Sequence, residues 1–250
     1  MQNQFTAPTI YFLQEGRENL HDCLKAAFQA AKQQNVTKVI IFTAKGEGVR
    51  VALESFCSQP EFSHIRIIGV TFPAGKKFTD SDGNFLKVEI PASEVGFFAQ
   101  HGVQIVQAHL PFDSITPFYG HRGHLGQDLS LVGEALNMFC GSMSLCVQAV
   151  IMACDAGFVD IGEHVIALTS DTAILAQASP TAQMLGEFII REVLCKPAVL
   201  SVCRKEAAEQ LQSQMQLVLA PPPKEALELP PTSEATPEEG TPDHQKPPHD

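Results

Sequence analysis

The residues best suited to chemistry fall in four short stretches, each at the end of an aliphatic, β-branched run. The first is Thr43-Ala44-Lys45-Gly46-Glu47-Gly48, which leads through two glycines into a helix-compatible segment. A strand end that enters a helix this way aims backbone N–H groups and the positive end of the helix dipole at one point. That favours a phosphate, with Thr43 as a hydroxyl donor and Lys45 as a charge. The stretch is neither a GxxxxGK[ST] loop nor a complete GxGxxG, because Val51 stands where the last glycine or alanine would be. It therefore reads either as a phosphate-cradling loop or as an ordinary strand-to-helix turn. The second stretch, Thr71 to Lys77, offers Thr71, the cation Lys76 and the Phe72 ring, whose face could stack on a planar group. A solvated loop is the alternative there.

The third stretch holds His109, Asp113, His121, Arg122 and His124. A metal would need two or three of these to converge. Ligand or anion contacts, with His109 and Arg122 foremost, and plain surface histidines are the other readings. The fourth, Thr169-Ser170-Asp171-Thr172, supplies the hydroxyls of Thr169, Ser170 and Thr172 to a phosphate or polyol, or serves only as turn formers. Nucleophilic catalysis finds no support, since there is no G-x-S-x-G elbow and only Ser114 lies near Asp113 and His109. The seven cysteines are odd in number, scattered and without a CxxC pair, which fits small buried hydrophobes in a reducing compartment. No catalytic residue and no metal site is assigned.

The elements that must position these stretches follow from periodicity. Leu20, Leu24, Ala27, Phe28 and Ala31 mark one face of a helix over 20–34, with Asn19 and Asp22 as a capping-box-like start and Asn35 as the stop. Thr37 to Phe42 and Ile65 to Val70 lack polar alternation, as strands covered on both faces do. A short helix over Val49 to Phe56 lies between them. Asp82-Gly83 predicts a small hairpin within Thr79 to Ile90, followed by a helix from Pro91 to Gln100 and a strand from Val103 to Ala108. Leu110 to Gln127 reads as an irregular loop. Asp128 to Ala156 is a kinked helix or two packed ones, broken at Gly133 and Gly141 and stopped at Gly157. Val165 to Thr169 is a strand, Ala173 to Ala178 returns antiparallel beside it, and a last helix runs from about Thr181 to Cys195. Alternating strands and helices make the class α/β, with a mostly parallel sheet and helices on both faces. Ala198 to Cys203 is strand-like, and residues 201–219 are expected to form a helical extension of the 1–200 ligand-binding domain. Residues 220–250 form a tail too rich in proline and acid to bury a core, and are expected to be disordered.

The chain has 250 residues and a net charge of −11, with 17 basic against 28 acidic side chains. Without a basic block it lacks the footprint for nucleic acid or an anionic membrane surface. No run approaches the length of a membrane span, and Met1 to Ile10 has no signal-peptide pattern, so a soluble, cytoplasmic protein is expected.

Four of these segments carry a resemblance. KVIIFTAKGEGVRVALE (38–54), IRIIGVTF (65–72), AVIMACDAGFVDIGEHVIAL (149–168) and REVLCKP (191–197) look like the C-terminal α/β domain of pyruvate kinase and its stand-alone relatives, over roughly 8–197. The catalytic barrel has no room in this chain, so kinase activity is not implied. The resemblance implies a three-layer fold. Its sheet would be mostly parallel and five-stranded, with one antiparallel edge strand and a ligand pocket over the carboxyl ends of the strands. In pyruvate kinases the equivalent Thr-containing loop holds the phosphate of a sugar-phosphate effector; in the stand-alone relatives the same edge looks like a site for flavin mononucleotide, FMN. The leading expectation is a small-molecule binding domain for a phosphorylated ligand such as FMN. Its site would comprise Thr43, Ala44, Lys45, Gly46, Gly48, Thr71, Phe72, Lys76, His109, Arg122, Thr169, Ser170 and Thr172. The alternatives are a flavin-dependent oxidoreductase or an enzyme acting on a phosphorylated metabolite, and an interaction scaffold that uses the acidic tail. Pyruvate kinase uses this domain in subunit contacts, and the apolar run from Leu129 to Ala153 would suit either a homo-oligomer or burial within one chain.

Overall fold

The computed structural model describes residues 6–79, 84–113 and 129–198. The expected extension at 201–219, the tail at 220–250, and His121, Arg122 and His124 lie outside the described residues.

Among the described residues nine strands form two sheets: β1 (Ile10–Phe12), β2 (Lys38–Phe42), β3 (Arg66–Thr71), β4 (Lys77–Thr79), β5 (Phe85–Lys87), β6 (Gln104–Gln107), β7 (His164–Leu168), β8 (Ala173–Gln177) and β9 (Ile189–Pro197). The main sheet has the order β1-β9-β8-β7-β2-β3-β6, and β4 and β5 form a separate hairpin. The helices are α1 (Leu20–Gln34), α2 (Glu47–Ala52), α3 (Ala92–Gln100), α4 (Ser130–Asn137), α5 (Met143–Asp155) and the single turn α6 (Met184–Glu187).

The apolar runs become central strands because both faces are covered. Along β2, Val39 and Ile41 join a core with Leu24, Phe28, Val49 and Phe98 from α1, α2 and α3. Ile40 and Phe42 point the other way into a core with Cys146, Val150 and Ile151 of α5. Successive side chains alternate faces, so a strand between two helical layers must be apolar at every position. The kinked apolar segment resolves into two helices that part at residues 138–142, and α5 is buried within the chain at every residue from Met143 to Cys154 except the half-buried Leu145. The shorter α4 and the link that follows it leave Leu131, Met138 and Phe139 exposed. Helix α1 ends at Asn35 in the left-handed region, as its sequence predicts, but its start differs. Asn19 is already helical, and its amide donates to the Gln14 carbonyl at 2.8 Å instead of capping.

The sheet has seven strands, not five, and its antiparallel strand β8 is internal, not at the edge. The difference comes from 181–195, where one helical turn gives way at Phe188 to the long strand β9. Apolar residues at 184, 185, 188 and 189 fit one helix face, but β8 is buried and its second row of N–H and C=O groups needs a partner. The β-branched positions of β9 supply it, and β1 then adds in parallel to β9, with Ile10 opposite Cys195.

Candidate functional site

The parallel strands end at one edge of the sheet, and three of the four stretches with candidate chemistry are described there. Thr43 lies one residue beyond β2, its N–H donating to the Val70 carbonyl at 2.9 Å. Ile41 stands opposite Gly69 and Phe42 opposite Val70, so Thr43 and Thr71 follow as neighbours on the α2/α3 side of the sheet. The Thr43 hydroxyl oxygen accepts the Gly46 N–H at 3.0 Å and closes the turn. Gly46 has φ 97°, and a Cβ there would come within 2.9 Å of the Phe98 ring. A Cβ on Gly48 would stand equally close to Ile41. Both glycines are thus demanded by space, the first by its backbone angle as well. They let α2 start directly against the sheet, so the N–H groups of Glu47, Gly48 and Val49 have no partner among the described residues. Ala44 is half-buried and Lys45 is exposed, with no ion pair among the described residues.

Glu47, at the mouth of this turn, is drawn toward Arg17 at 3.6 Å. The residue before Arg17 makes a second tie: the Gly16 N–H donates to Asp171 Oδ2 at 3.0 Å, across 155 residues of chain. The segment 14–19 therefore spans the ends of β2 and β7, the place where the strand order turns back on itself and where open α/β sheets tend to take ligands. No sequence signal marks Arg17 or Gly16 for this role.

At the end of β7 the hydroxyls turn inward. Asp171 is buried, and its Oδ1 accepts from the Thr172 hydroxyl at 3.2 Å and the Thr169 hydroxyl at 3.4 Å. Of the three hydroxyl residues in this turn only Ser170 is partly open to solvent. Thiols pack around it. Cys140 shares a hydrogen bond with the Thr172 hydroxyl at 3.3 Å, and Cys146 donates to the Thr172 carbonyl at 3.4 Å. Cys23 donates to the Thr169 carbonyl at 3.6 Å and accepts from Cys195 at 3.3 Å. The hydrogen bond from Cys195, together with burial, holds the Cys23 thiol well above its usual range. Burial does the same for Cys146 and pushes Cys57 up to about 11. All three thiols stay protonated at neutral pH, and Cys23 and Cys146 act as small buried donors, not nucleophiles.

Past β3, Phe72 packs edge-on between Phe42 and Phe78, with ring centroids 4.9 and 5.1 Å away, so the ring is part of an aromatic row. Lys76 is paired with Asp113 at 3.0 Å. His109 lies near the same turn, exposed, its Nε2 3.0 Å from the Asp113 carbonyl. Lys76, Asp113, Glu134, Asn137, Ser144 and Gln148 line a polar cavity of about 400 Å³ on the α4/α5 side. Its floor is fixed by Gln148, which accepts the Phe112 N–H at 2.8 Å, and by Ser144, which donates to Asn137 at 2.7 Å. Among the described residues no three His, Cys, Asp or Glu side chains converge in a way that could hold a metal ion.

No protein-family model matches the chain. Part of pyruvate kinase is what the structure is similar to. One solved structure of the Cryptosporidium parvum enzyme aligns at 12% identity and a TM-score of 0.31, over 66% of this chain and 23% of that one. A second, also from Cryptosporidium parvum, aligns at 13% identity and a TM-score of 0.30, over 64% and 23%. The chain thus spans less than a quarter of the length of the solved chains it matches.

Proposed function

We propose that this chain is a small-molecule binding domain that recognises a phosphorylated ligand at the Thr43–Gly48 turn, with FMN the first ligand to test. The observation that supports the reading is the state of that turn. It is tied internally by one bond from Gly46 to Thr43, while three first-turn N–H groups and the exposed Lys45 have no partner among the described residues. Donors fixed in place before a ligand arrives need no reordering when it binds. Arg17 draws the Glu47 carboxylate toward itself and adds a second cation at the rim. Ala44, Gly46 and Gly48 contribute backbone, and the hydroxyl of Ser170 lies at the adjacent strand end.

The test is an absorbance spectrum of the purified protein and mass spectrometry of what it releases on denaturation, followed by titration with FMN, ribose 5-phosphate and inorganic phosphate. Lys45→Ala should weaken the best of these by about 5-fold, on the order of 1 kcal/mol for one charge-assisted contact, and leave the melting temperature unchanged. Equal affinity in Lys45→Ala and the parent chain would remove the turn from the binding site.

A further inference from the structure

A smaller pocket of about 160 Å³ opens beside that turn, between the carboxyl ends of β3 and β6 and the start of α3. Thr71, Glu89 and Gln107 form its polar side; Ile90, Val95 and Ile105 form its apolar side. Thr71 is 1% exposed, and its hydroxyl is the buried side-chain group without a hydrogen-bond partner among the described residues. A buried hydroxyl left unpaired weakens a fold, and native structures keep one where something else completes it. The contrast with Thr43 is direct, because that neighbouring hydroxyl is occupied by Gly46.

The charge of the wall limits what can enter. Glu89 accepts the Gly75 N–H at 3.2 Å through Oε1 and pairs with Lys87 at 2.6 Å through Oε2. The Lys87 ammonium, and next the Gly75 N–H, hold its carboxyl below the usual range, so it is ionised at neutral pH. Each oxygen keeps a further lone pair, and Lys87 is not part of the lining. Among the described residues of the wall no side chain is cationic, so an anion would meet this carboxylate, whereas a donor would meet acceptors.

We propose that the pocket is a binding subsite for a short aliphatic amino alcohol group. Its ammonium would lie on Glu89 and the Gln107 carbonyl oxygen, its hydroxyl on Thr71, and its methylene stem on Ile90, Val95 and Ile105. The subsite stands independently of phosphate binding at the Thr43–Gly48 turn, since its electrostatic preference is opposite; Thr71, expected from the sequence among the phosphorylated-ligand residues, is assigned here to the amino alcohol instead.

Ethanolamine, titrated into the full chain and followed by backbone amide NMR, should saturably shift Thr71, Ala74, Glu89 and Gln107. Thr71→Val and Glu89→Gln should each weaken binding at least 5-fold with the remaining spectrum preserved; Lys45→Ala should leave it unchanged. Acetate should give no saturable shift at these residues. No saturable shift with ethanolamine, equal binding by acetate, or affinity unchanged in both pocket variants would overturn the proposal. Loss of FMN or phosphate binding in Lys45→Ala with ethanolamine binding intact would separate the two sites.

Discussion

Two turns at the same sheet edge, Thr43–Gly48 and Thr169–Thr172, are built from similar residue types and put them to opposite use. In the first, one hydroxyl closes the turn and the remaining donors have no partner among the described residues. In the second, two hydroxyls and a distant backbone N–H converge on one buried carboxylate. A threonine at a strand end is equally ready for either task. What decides is whether an acceptor of the chain's own reaches it first.

The comparison is broken most forcefully at Asp171. Asp171→Ala leaves the Gly16 N–H and two hydroxyls without an acceptor. The expected cost is about 4 kcal/mol, with a Tm lower by on the order of 10 °C in a thermal melt. A loss under about 1 kcal/mol would mean that the turn is held by something else. Next comes Gly46→Ala, which puts a Cβ at 2.9 Å from the Phe98 ring on a backbone with φ 97°. Denaturant titration should show about 2 kcal/mol of destabilisation, together with loss of ligand affinity at the turn. A smaller effect is expected of Thr43→Val, about 1 kcal/mol, because only the Gly46 N–H loses its acceptor. Ligand affinity falling in Thr43→Val while that of Asp171→Ala stays at the parent value, in protein still folded, would sharpen the contrast between an outward and an inward turn.

The smallest effect lies between α2 and α3, where Arg50 grips Glu94 with two bonds of 2.8 and 2.6 Å. The Arg50 hydrogen bonds hold the Glu94 carboxyl below its ordinary 4.5. A carboxyl lowered in the folded state stabilises at pH above its ordinary value and loses that contribution as the solution becomes more acidic. Glu94→Gln should therefore flatten slightly the fall of Tm below about pH 4.5, and an unchanged slope would show that the pair contributes nothing.

Much of this fold is legible in the chain, for local reasons. The 3.6 period of α1, the unbroken apolar runs of β2 and β3, the Asp82-Gly83 hairpin signal and the glycine stop at 157 each act within a few residues. Even the return of β8 follows from the turn formers before it. The strand β9 is not legible, because its residues satisfy helix periodicity as well and only the open edge of β8 decides between them. In the site, the Thr43–Gly48 turn is readable as a strand end entering a helix. The ties from Arg17 and Gly16 are not, since their partners are 30 and 155 residues away. The inward commitment of Thr169 and Thr172 depends on Asp171 being buried, and burial is a property of the assembled edge.

The pairing of β1 with β9 bears on how the chain is made. The third strand from one end of the sheet is β8, and its outer partner is the last strand described; β1 in turn rests on that strand, with Ala198 donating to Phe12 at 2.7 Å. A ribosome delivers β1 first, yet β1 has no seat until nearly two hundred residues have emerged. From the emergence of β8 until β9 follows it, β8 has nothing along its outer side, a bare apolar edge of the sort that recruits foreign strands. Such late, long-range closure makes for slow folding, and chains released short of Ile189 would be the ones to aggregate.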